Sequence, residues 1–307
     1  MKLAIKYSKL CITVSFTEDV RLSKNKASAI RGGIGEMLLR ENCIGDRKCE
    51  NCEFVRECLV QRILYSPMDI EPKFMGNGDS VGYVIECEDY RRDFKRGDSL
   101  KFNIIVFGKV LVYFSQIIRA VFMLGVNGIG TYKAKYQIVS VDNTKGEHIL
   151  EGSNVFMNRY LIETVGDYVK RRLGDIQGES NIYLKFATPV SLKYHGEFMQ
   201  NFDIQTILNA IRRRLYILMC FEGIEEDNLY LKSDIIPEQI SEHSIQSEVL
   251  RYSNRHRQGM KLKGITGELE IRKITGRNLE LLIAGELIHI GNNTSFGFGK
   301  YEILLKE

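Results

Sequence analysis

Four cysteines in the first quarter of the chain have the types and spacing of metal ligands. Cys43, Cys49, Cys52 and Cys58 follow the pattern C-x5-C-x2-C-x5-C. Four thiolates this close suit one tetrahedral Zn²⁺, with Cys49 and Cys52 forming the knuckle. An iron–sulfur cluster also uses four cysteines, and unliganded thiols are a third alternative. Because four thiolates leave no open position for a substrate, we predict a structural zinc site and no catalytic metal.

A glycine-rich loop near the end of the chain is the second candidate site. In the stretch 286–305, Gly291, Gly297 and Gly299 enclose the polar tip NNTS, and an alternating strand pattern follows. Glycine permits positive φ and close backbone approach, so such a loop can present its N–H groups to the phosphates of a polynucleotide. A tight turn from a helix to a strand is the alternative.

Basic residues are concentrated immediately before that loop. Within 251–277 the only acidic residues are Glu268 and Glu270, whereas the preceding stretch 222–248 is acidic. A local basic strip is what an RNA-facing surface requires, and a solvated charged face is the alternative. The basic residues of the strip are Arg251, Arg255, Arg257, Lys261, Lys263, Arg272, Lys273 and Arg277.

Composition limits the class of protein. The chain has 307 residues, of which 44% are hydrophobic and 27% charged, so it can form two globular domains and is not disordered. A net charge of +4 does not by itself indicate nucleic-acid binding. The sequence shows no signal peptide and no apolar run near the ~20 residues of a membrane span. We therefore expect a cytoplasmic protein with no membrane partner.

Hydrophobic periodicity predicts an α+β fold that is repeated in the two halves of the chain. Each half has the order strand, helix, strand, strand, helix, glycine-containing loop and strand, which is the βαββαβ order of the ferredoxin-like (RRM-like) sandwich. The predicted strands are 10–22, 81–87, 100–107, 132–141, 182–192, 249–255, 261–272 and the final strand after residue 300. The predicted helices are 24–42, 110–124, 204–218 and 279–290.

The repeat also predicts the domain boundaries. We expect an N-terminal domain over 1–145, which carries the four-cysteine insertion at 43–58. A linker with a helix is expected over 146–180, where the sequence is polar and less regular. The C-terminal domain, with the glycine-rich loop, is expected over 181–307. This fold serves many functions, so the fold alone does not decide what the protein does.

Three motifs resemble the repeat-processing endoribonucleases of CRISPR systems, within the RAMP superfamily. The first is the glycine-rich loop with its flanks, GELIHIGNNTSFGFGKYEI. The second is the run RYSNRHRQGMKLKGITGELEI that precedes it. The third is in the first half, where RGGIGEMLLR comes before the cysteines and GIGTYKAKYQI closes the repeat. The resemblance covers most of the chain and is most specific in its last third.

The resemblance implies an RNA-processing enzyme. It implies that the protein binds the repeat of a precursor CRISPR transcript and cuts it into guide units without a metal ion. The 2′-hydroxyl would attack its own phosphate and give a 2′,3′-cyclic phosphate and a 5′-hydroxyl. Such chemistry requires a base for the 2′-hydroxyl, a cation for the phosphorane and a proton for the leaving oxygen. No cofactor is expected for catalysis.

The catalytic residues do not follow directly from the resemblance. Many relatives place a catalytic histidine in or near the first helix, but the first histidine here is His148. The catalytic candidates are His289, His256, Tyr252 and Lys261. His256 lies among cations that lower the pKa of a histidine, as a general base requires, and His289 precedes the glycine loop at a helix end, which suits a general acid. The alternatives are a solvated loop residue for His256 and a helix-capping residue for His289.

The candidate RNA-binding residues belong to the basic strip and the glycine loop. They are Arg251, Arg255, Arg257, Lys263, Gly291, Asn292, Thr294, Ser295, Gly297, Gly299 and Lys300. The missing early histidine also leaves a second function open. In that alternative the protein is a non-catalytic RAMP subunit that holds the RNA within a CRISPR effector complex. Other effector subunits are possible partners, and the sequence does not indicate an oligomeric state.

Overall fold

The computed structural model describes residues 3–47, 49–68, 72, 81–176, 180–194, 196–224, 236–253, 258–274 and 276–305. The chain divides into two compact units. The described residues from 7 to 162, except residue 72, form the first unit. Those from 163 to 305, with residues 3–6 and 72, form the second unit.

The first unit is an antiparallel sheet covered by helices. Its strands lie in the order β3-β5-β1-β6-β7-β8. The strands are β1 (Lys6–Phe16), β2 (Val20–Arg21), β3 (Tyr83–Glu86), β4 (Asp93–Phe94), β5 (Ser99–Phe107), β6 (Tyr136–Asp142), β7 (His148–Glu151) and β8 (Asn154–Val155). The helices are α1 (Lys26–Asn42), α2 (Leu59–Leu64) and α3 (Phe114–Asn127), and short 3₁₀ turns cover Cys49–Asn51, Gly108–Tyr113 and Met157–Arg159.

Alternation and helical periodicity explain this core. Every second residue of β1 from Leu10 to Phe16 is buried, so one face of the strand points to the helices. The two helices of the repeat, α1 and α3, pack on each other. Gly33 of α1 permits this contact, since a Cβ there would lie 2.5 Å from Leu124 of α3. The glycine pair of the RGG motif therefore includes one residue required for packing.

The second unit repeats the arrangement. Its sheet has the order β13-β14-β10-β15. The strands are β9 (Glu163–Thr164), β10 (Ser180–Val190), β11 (Lys193–Tyr194), β12 (Glu197–Phe198), β13 (Glu238–Ser253), β14 (Gln258–Ile274) and β15 (Glu302–Leu305). The helices are α4 (Val165–Asp175), α5 (Ile204–Glu222) and α6 (Gly276–Ile288), and a 3₁₀ turn covers Thr294–Phe296.

The two sheets confirm the predicted tandem ferredoxin-like fold. In each unit the first strand lies between the third and fourth strands of the βαββαβ repeat, and the second strand is at the edge. One strand is much longer than predicted: β13 begins at Glu238, inside the acidic stretch, and not near residue 249. An edge strand tolerates charged side chains, so the charge of this stretch concealed the strand.

The predicted linker is divided between the two units. Residues 148–155 form β7 and β8, which extend the sheet of the first unit. Residues 165–175 form α4, which packs against α6 in the second unit. Helix α6 is apolar on nearly all sides and is buried almost throughout, because α4 and α5 both cover it.

Among the described residues, one helical segment is long and apolar enough to cross a membrane by length and composition. It spans Gly108–Asn127, and half of its apolar window is buried inside the protein. The sequence analysis did not anticipate this run, because a 3₁₀ turn continues directly into α3 and lengthens it. Several of its residues, among them Val110, Ile117 and Val121, are buried in the first unit.

A buried carboxylate connects α4, α6 and β15. Glu286 of α6 accepts hydrogen bonds from the Tyr168 hydroxyl at 2.8 Å and from Arg172 Nε at 3.2 Å. It also accepts the backbone N–H of Ile303 at 3.0 Å, and Arg172 donates to the Ile303 carbonyl at 3.0 Å. Glu286 raises the pKa of the Arg172 guanidinium through this hydrogen bond. One acidic residue thus satisfies donors from a helix and a strand.

We expect Glu286→Ala to destabilise the protein by about 3 kcal/mol, because it leaves Arg172 and a buried N–H without their acceptor. Urea unfolding of the purified protein measures this free energy. Glu302→Ala is the matched control, since Glu302 is an exposed acid on β15, and it should change the free energy of unfolding by less than about 0.5 kcal/mol. Equal effects of the two substitutions would contradict the central role of Glu286.

Candidate nucleic-acid interface and glycine-rich loop

The predicted catalytic residue His289 lies in the protein interior. Its side chain is 0% exposed, and its Nδ1 lies 3.0 Å from the carbonyl oxygen of Phe298. Its φ of 57° is left-handed and ends α6. This burial and contact favour the helix-capping alternative for His289, and its catalytic role stays a prediction. His289 joins the end of the helix to the returning loop.

The glycines of the loop serve close packing inside the second unit. Gly291, Gly297 and Gly299 have φ values of 80°, 86° and 74°, which only glycine adopts without strain. A Cβ on Gly291 would lie 2.6 Å from the Ser191 carbonyl oxygen, and one on Gly299 would overlap the carbonyl oxygen of Ile290. The loop therefore folds against its own helix and against the end of β10.

Several N–H groups of the loop already have protein acceptors. Asn292 donates to the Ser191 carbonyl and Gly299 to the Pro189 carbonyl, each at 2.9 Å. The N–H of Lys300 donates to Thr188 Oγ1 at 2.9 Å. Three further N–H groups, of Phe296, Gly297 and Phe298, donate to carbonyl groups within the loop. These groups are engaged within the protein and are not presented to a phosphate.

Side-chain burial separates the predicted RNA contacts of the loop into two groups. Thr294 and Ser295 are buried, and so are Gly297 and Gly299, which argues against their predicted role as direct RNA contacts. Asn292 is exposed at the tip, and Gly291 and Lys300 are half-buried. The accessible residues of the loop are therefore at its tip and at its last position.

Strands β13 and β14 form a long arm beyond the rest of their sheet. The pairing of β14 with β10 ends at Ile265, opposite Val190. From that point β13 and β14 pair only with each other in the described residues, up to Ser253 opposite Gln258. We call residues 247–264 the arm. It carries the sequence that includes most of the predicted basic strip.

The arm is basic and partly apolar on its surface. Lys261 and Lys263 are two residues apart on β14, so they share a face, and both are exposed. Opposite them on β13 are Leu250, 76% exposed, and Glu248. Lys261 Nζ lies 3.1 Å from Glu248 Oε2. Both side chains are largely exposed, so this pair costs little to open when an anion approaches.

The remaining predicted residues of the arm are only partly within the described structure. Arg251 and Tyr252 pair with Met260 and Gly259 through the backbone. Arg255, His256 and Arg257 lie outside the described residues. By sequence they connect the paired residues Ser253 and Gln258. The positions of the predicted base His256 and of the Tyr252 side chain therefore stay predictions.

The four cysteines predicted to bind zinc are all described, and each is half-buried with a free thiol. As placed, no three His, Cys, Asp or Glu side chains within the described part of the chain form a group that could hold a metal ion. The Sγ atoms of Cys43 and Cys49 instead face the carbonyl oxygens of Gly45 and Arg47, at 3.7 and 3.9 Å. The placement of the thiols does not support the predicted site.

A histidine–carboxylate pair that sequence reasoning missed lies in the first unit. His148 Nδ1 is 2.5 Å from Asp142 Oδ1, and its Nε2 is 3.7 Å from Glu151 Oε1. The hydrogen bond to Asp142 raises the pKa of His148, and Glu151 adds to that shift. In the sequence, the only sign of this pair is an acidic residue six positions before a histidine. Their contact can be predicted only when the register of the β6–β7 hairpin is known.

We expect Asp142→Asn to lower the pKa of His148 toward the ordinary value of about 6.5. Because the folded pKa is raised, the pair stabilises the fold below the unfolded pKa, and this contribution is lost as pH rises through the folded pKa. Titration of the His148 ring protons by NMR measures the shift. Glu151→Gln should have the smaller effect, since Glu151 is farther away; the opposite ranking would contradict the assignment.

Two family models match the chain. A model described as an N-terminal domain (AF_1859_N) matches residues 5–164, just over half of the chain. The model of the CRISPR-associated endoribonuclease Cas6 matches residues 184–301, which include the arm and the glycine-rich loop. The first half of the chain thus belongs to the former family, and the Cas6 match falls on the second unit.

Individual proteins show the same relationship. An uncharacterized protein of Archaeoglobus fulgidus is 27% identical over 281 residues, which are 89% of each chain. A chain of the partial Cas6-RT-Cas1–Cas2 complex has a TM-score of 0.62 at 13% identity, covering all of this chain and 47% of that one. A Cas6 product complex has a TM-score of 0.55 at 14% identity and covers 97% of this chain and 100% of that one.

These likenesses extend over both units, and at 13–14% identity they establish a common fold. This chain spans about half the length of the matched chain in the Cas6-RT-Cas1–Cas2 complex. The fold, the order of the two repeats and the Cas6 match on the second unit agree with the motifs of the sequence. The chain belongs to the family of the AF_1859_N model, and its residues 184–301 are similar to the CRISPR-associated endoribonuclease Cas6.

Proposed function

We propose that this protein binds CRISPR repeat RNA through the arm and cleaves the precursor transcript into guide units without a metal ion. The observation that carries the proposal is the charge of the arm. Five residues of the arm are Arg or Lys, and Glu248 near its start is its one acidic residue. A surface of this charge attracts a polyphosphate, and the exposed Leu250 on the same face can contact a base.

The proposed reaction is an intramolecular transesterification. The 2′-oxygen forms a bond to the adjacent phosphorus as a base removes its proton. The bond from phosphorus to the 5′-oxygen breaks, and an acid protonates that oxygen. The products are a 2′,3′-cyclic phosphate and a 5′-hydroxyl. We assign the base to His256 and charge stabilisation to Lys261, with Tyr252 as a proton donor.

The glycine-rich loop has a supporting role in this proposal. Its glycines and its buried Thr294 and Ser295 keep the loop compact. The exposed Asn292 and the half-buried Lys300 are the loop residues that can contact the RNA. His289 is a structural residue that closes the loop, so it is not assigned to the chemistry.

A second function remains in the proposal, with its own observation. Helix α1 contains no histidine, and His289 is buried. A protein with no histidine in α1 and a buried His289 can still hold RNA through the arm. It would then be a non-catalytic subunit, with other CRISPR effector subunits as partners. The two functions differ in one measurable property, because the subunit binds repeat RNA and leaves it whole.

We expect His256→Ala to slow cleavage of the cognate repeat RNA at least 100-fold while RNA affinity stays within a few-fold, because a general base contributes on the order of 100-fold or more. Single-turnover cleavage in EDTA measures the rate. A 2′-deoxy nucleotide at the cut site should bind and stay intact, and phosphatase-resistant product ends should mark the cyclic phosphate.

Two controls separate chemistry from folding. His243→Ala removes an exposed histidine of β13 outside the arm and should cut at the wild-type rate. His289→Asn keeps a residue that tolerates positive φ; it should lower Tm and leave the rate unchanged below the transition. Wild-type protein that binds the repeat and never cuts it selects the non-catalytic function. Loss of activity on chelation would exclude the metal-independent reaction.

We expect Lys263→Ala to weaken RNA binding and to lower the slope of log affinity against log salt by about 0.7, the value for one phosphate contact on a single strand. Fluorescence anisotropy with labelled repeat RNA from 50 to 300 mM salt measures both. Lys170→Ala is the matched control, an exposed lysine on α4 of the same unit. An unchanged slope for Lys263→Ala would show that RNA binds elsewhere.

A further inference from the structure

The cysteine segment 43–58 has no hydrophobic core of its own. Within the described part of this segment, which excludes residue 48, not one residue is buried. Its two large apolar side chains are exposed, Ile44 by 78% and Phe54 by 56%. A segment of this length cannot hold one conformation by burial of apolar surface, so it requires another source of stability.

The cysteines are the best-covered residues of the segment. Five of its described residues are half-buried, and all the others are exposed. Four of the five are Cys43, Cys49, Cys52 and Cys58, and the fifth is Val55. In a solvated loop, we would expect no preference for one residue type among the half-buried positions. Here the chain directs its thiols inward and exposes its larger apolar groups.

The local backbone around the two central cysteines forms two consecutive turns. A 3₁₀ turn covers Cys49–Asn51, and the Cys52 N–H donates to the Cys49 carbonyl at 3.3 Å. The Val55 N–H then donates to the Cys52 carbonyl at 3.2 Å. Two cysteines separated by two residues on such a turn have the spacing that places both sulfurs on one ion.

The outer cysteines are fixed to the ends of two helices. The Cys43 N–H donates to the Leu39 carbonyl at the end of α1, and the Cys58 carbonyl accepts the Arg62 N–H at the start of α2, both at 3.0 Å. Helices α1 and α2 pack against each other. The segment is therefore a loop between two neighbouring helices, and its first and last residues are Cys43 and Cys58.

We propose that segment 43–58 folds around one Zn²⁺ bound by Cys43, Cys49, Cys52 and Cys58. Binding converts four thiols and Zn²⁺ to a tetrathiolate complex and releases four protons to solvent. It replaces the weak contacts from Sγ of Cys43 and Cys49 to carbonyl oxygens, and it draws the knuckle to the helix ends. The ion supplies the stability that the segment cannot obtain from a core. This inference does not depend on the proposed cleavage.

The test measures metal in the full-length protein after removal of loosely bound ions. Elemental analysis of wild type should give one zinc per chain, and a mercurial thiol reagent should release it as four thiols react. Cys52→Ser should retain less than a tenth as much zinc. Cys220→Ser is the matched control, since Cys220 is half-buried on α5 outside the segment, and it should keep a full equivalent.

Three results would overturn the proposal. One is wild type that neither contains zinc nor takes up an equivalent of added Zn²⁺ with a Kd below 1 μM, by chromophoric competition. Another is iron with visible absorption in place of zinc. The third is equal zinc in Cys52→Ser and wild type. If Cys52→Ser does not fold, mercurial titration of the wild type still tests the proposal. Zinc held by fewer than four cysteines would be released after a different number of thiols had reacted.

Discussion

The second unit depends on one buried carboxylate. Glu286 lies on a helix that is apolar on nearly all sides, and a lone charge there would be very costly. Its oxygens accept from Tyr168, from Arg172 and from the N–H of Ile303, so one side chain joins α4, α6 and β15. The same interaction explains why α4 belongs to this unit although the sequence of α4 is polar. The apolar face of α4 covers α6, and two of its polar residues donate hydrogen bonds to Glu286. This network fixes α6, and the glycine-rich loop begins at His289, one residue after the end of that helix.

The glycine-rich loop has the geometry of the second of its two sequence interpretations, a tight turn from a helix to a strand. Its glycines suggested a backbone open to phosphate. In the structure the positive φ values and the missing Cβ atoms let the loop pack against Ser191 and Ile290. The N–H groups from Phe296 to Lys300 donate within the protein. Glycine is compatible both with phosphate binding and with close packing, because it has no Cβ and either a phosphate or protein atoms can occupy the space. The motif therefore marks positions where close packing requires glycine.

The fold could be predicted from the sequence because its periodicities are strong and occur twice. Strands such as β1 alternate cleanly, α3 is long and apolar, and the order of elements repeats, so local patterns and topology agree. The site was harder to predict because it depends on distance and burial. A histidine at the end of an apolar helix gives no sign of whether the loop beyond it will cover the ring, as Phe298 does for His289. The pair of Asp142 and His148 required a hairpin register. The start of β13 was missed because its acidic residues resemble a loop.

The locations of three of the five histidines, those in the described part of the chain, bear on where acid–base chemistry can occur. His289 is enclosed, His148 is held between Asp142 and Glu151, and His243 is exposed on β13 outside the arm. Acidic neighbours repel a polyphosphate, whereas the residues of the arm from 249 to 264 include five basic and no acidic side chains. An arm of two strands lacks the support that a full sheet gives, and isolated hairpins are marginal in water. Phosphates bridging Lys261, Lys263 and the arginines of the arm would supply the missing contacts. In the proposed complex, RNA binding would then stabilise the arm, and apo geometry alone does not decide whether its residues are catalytic.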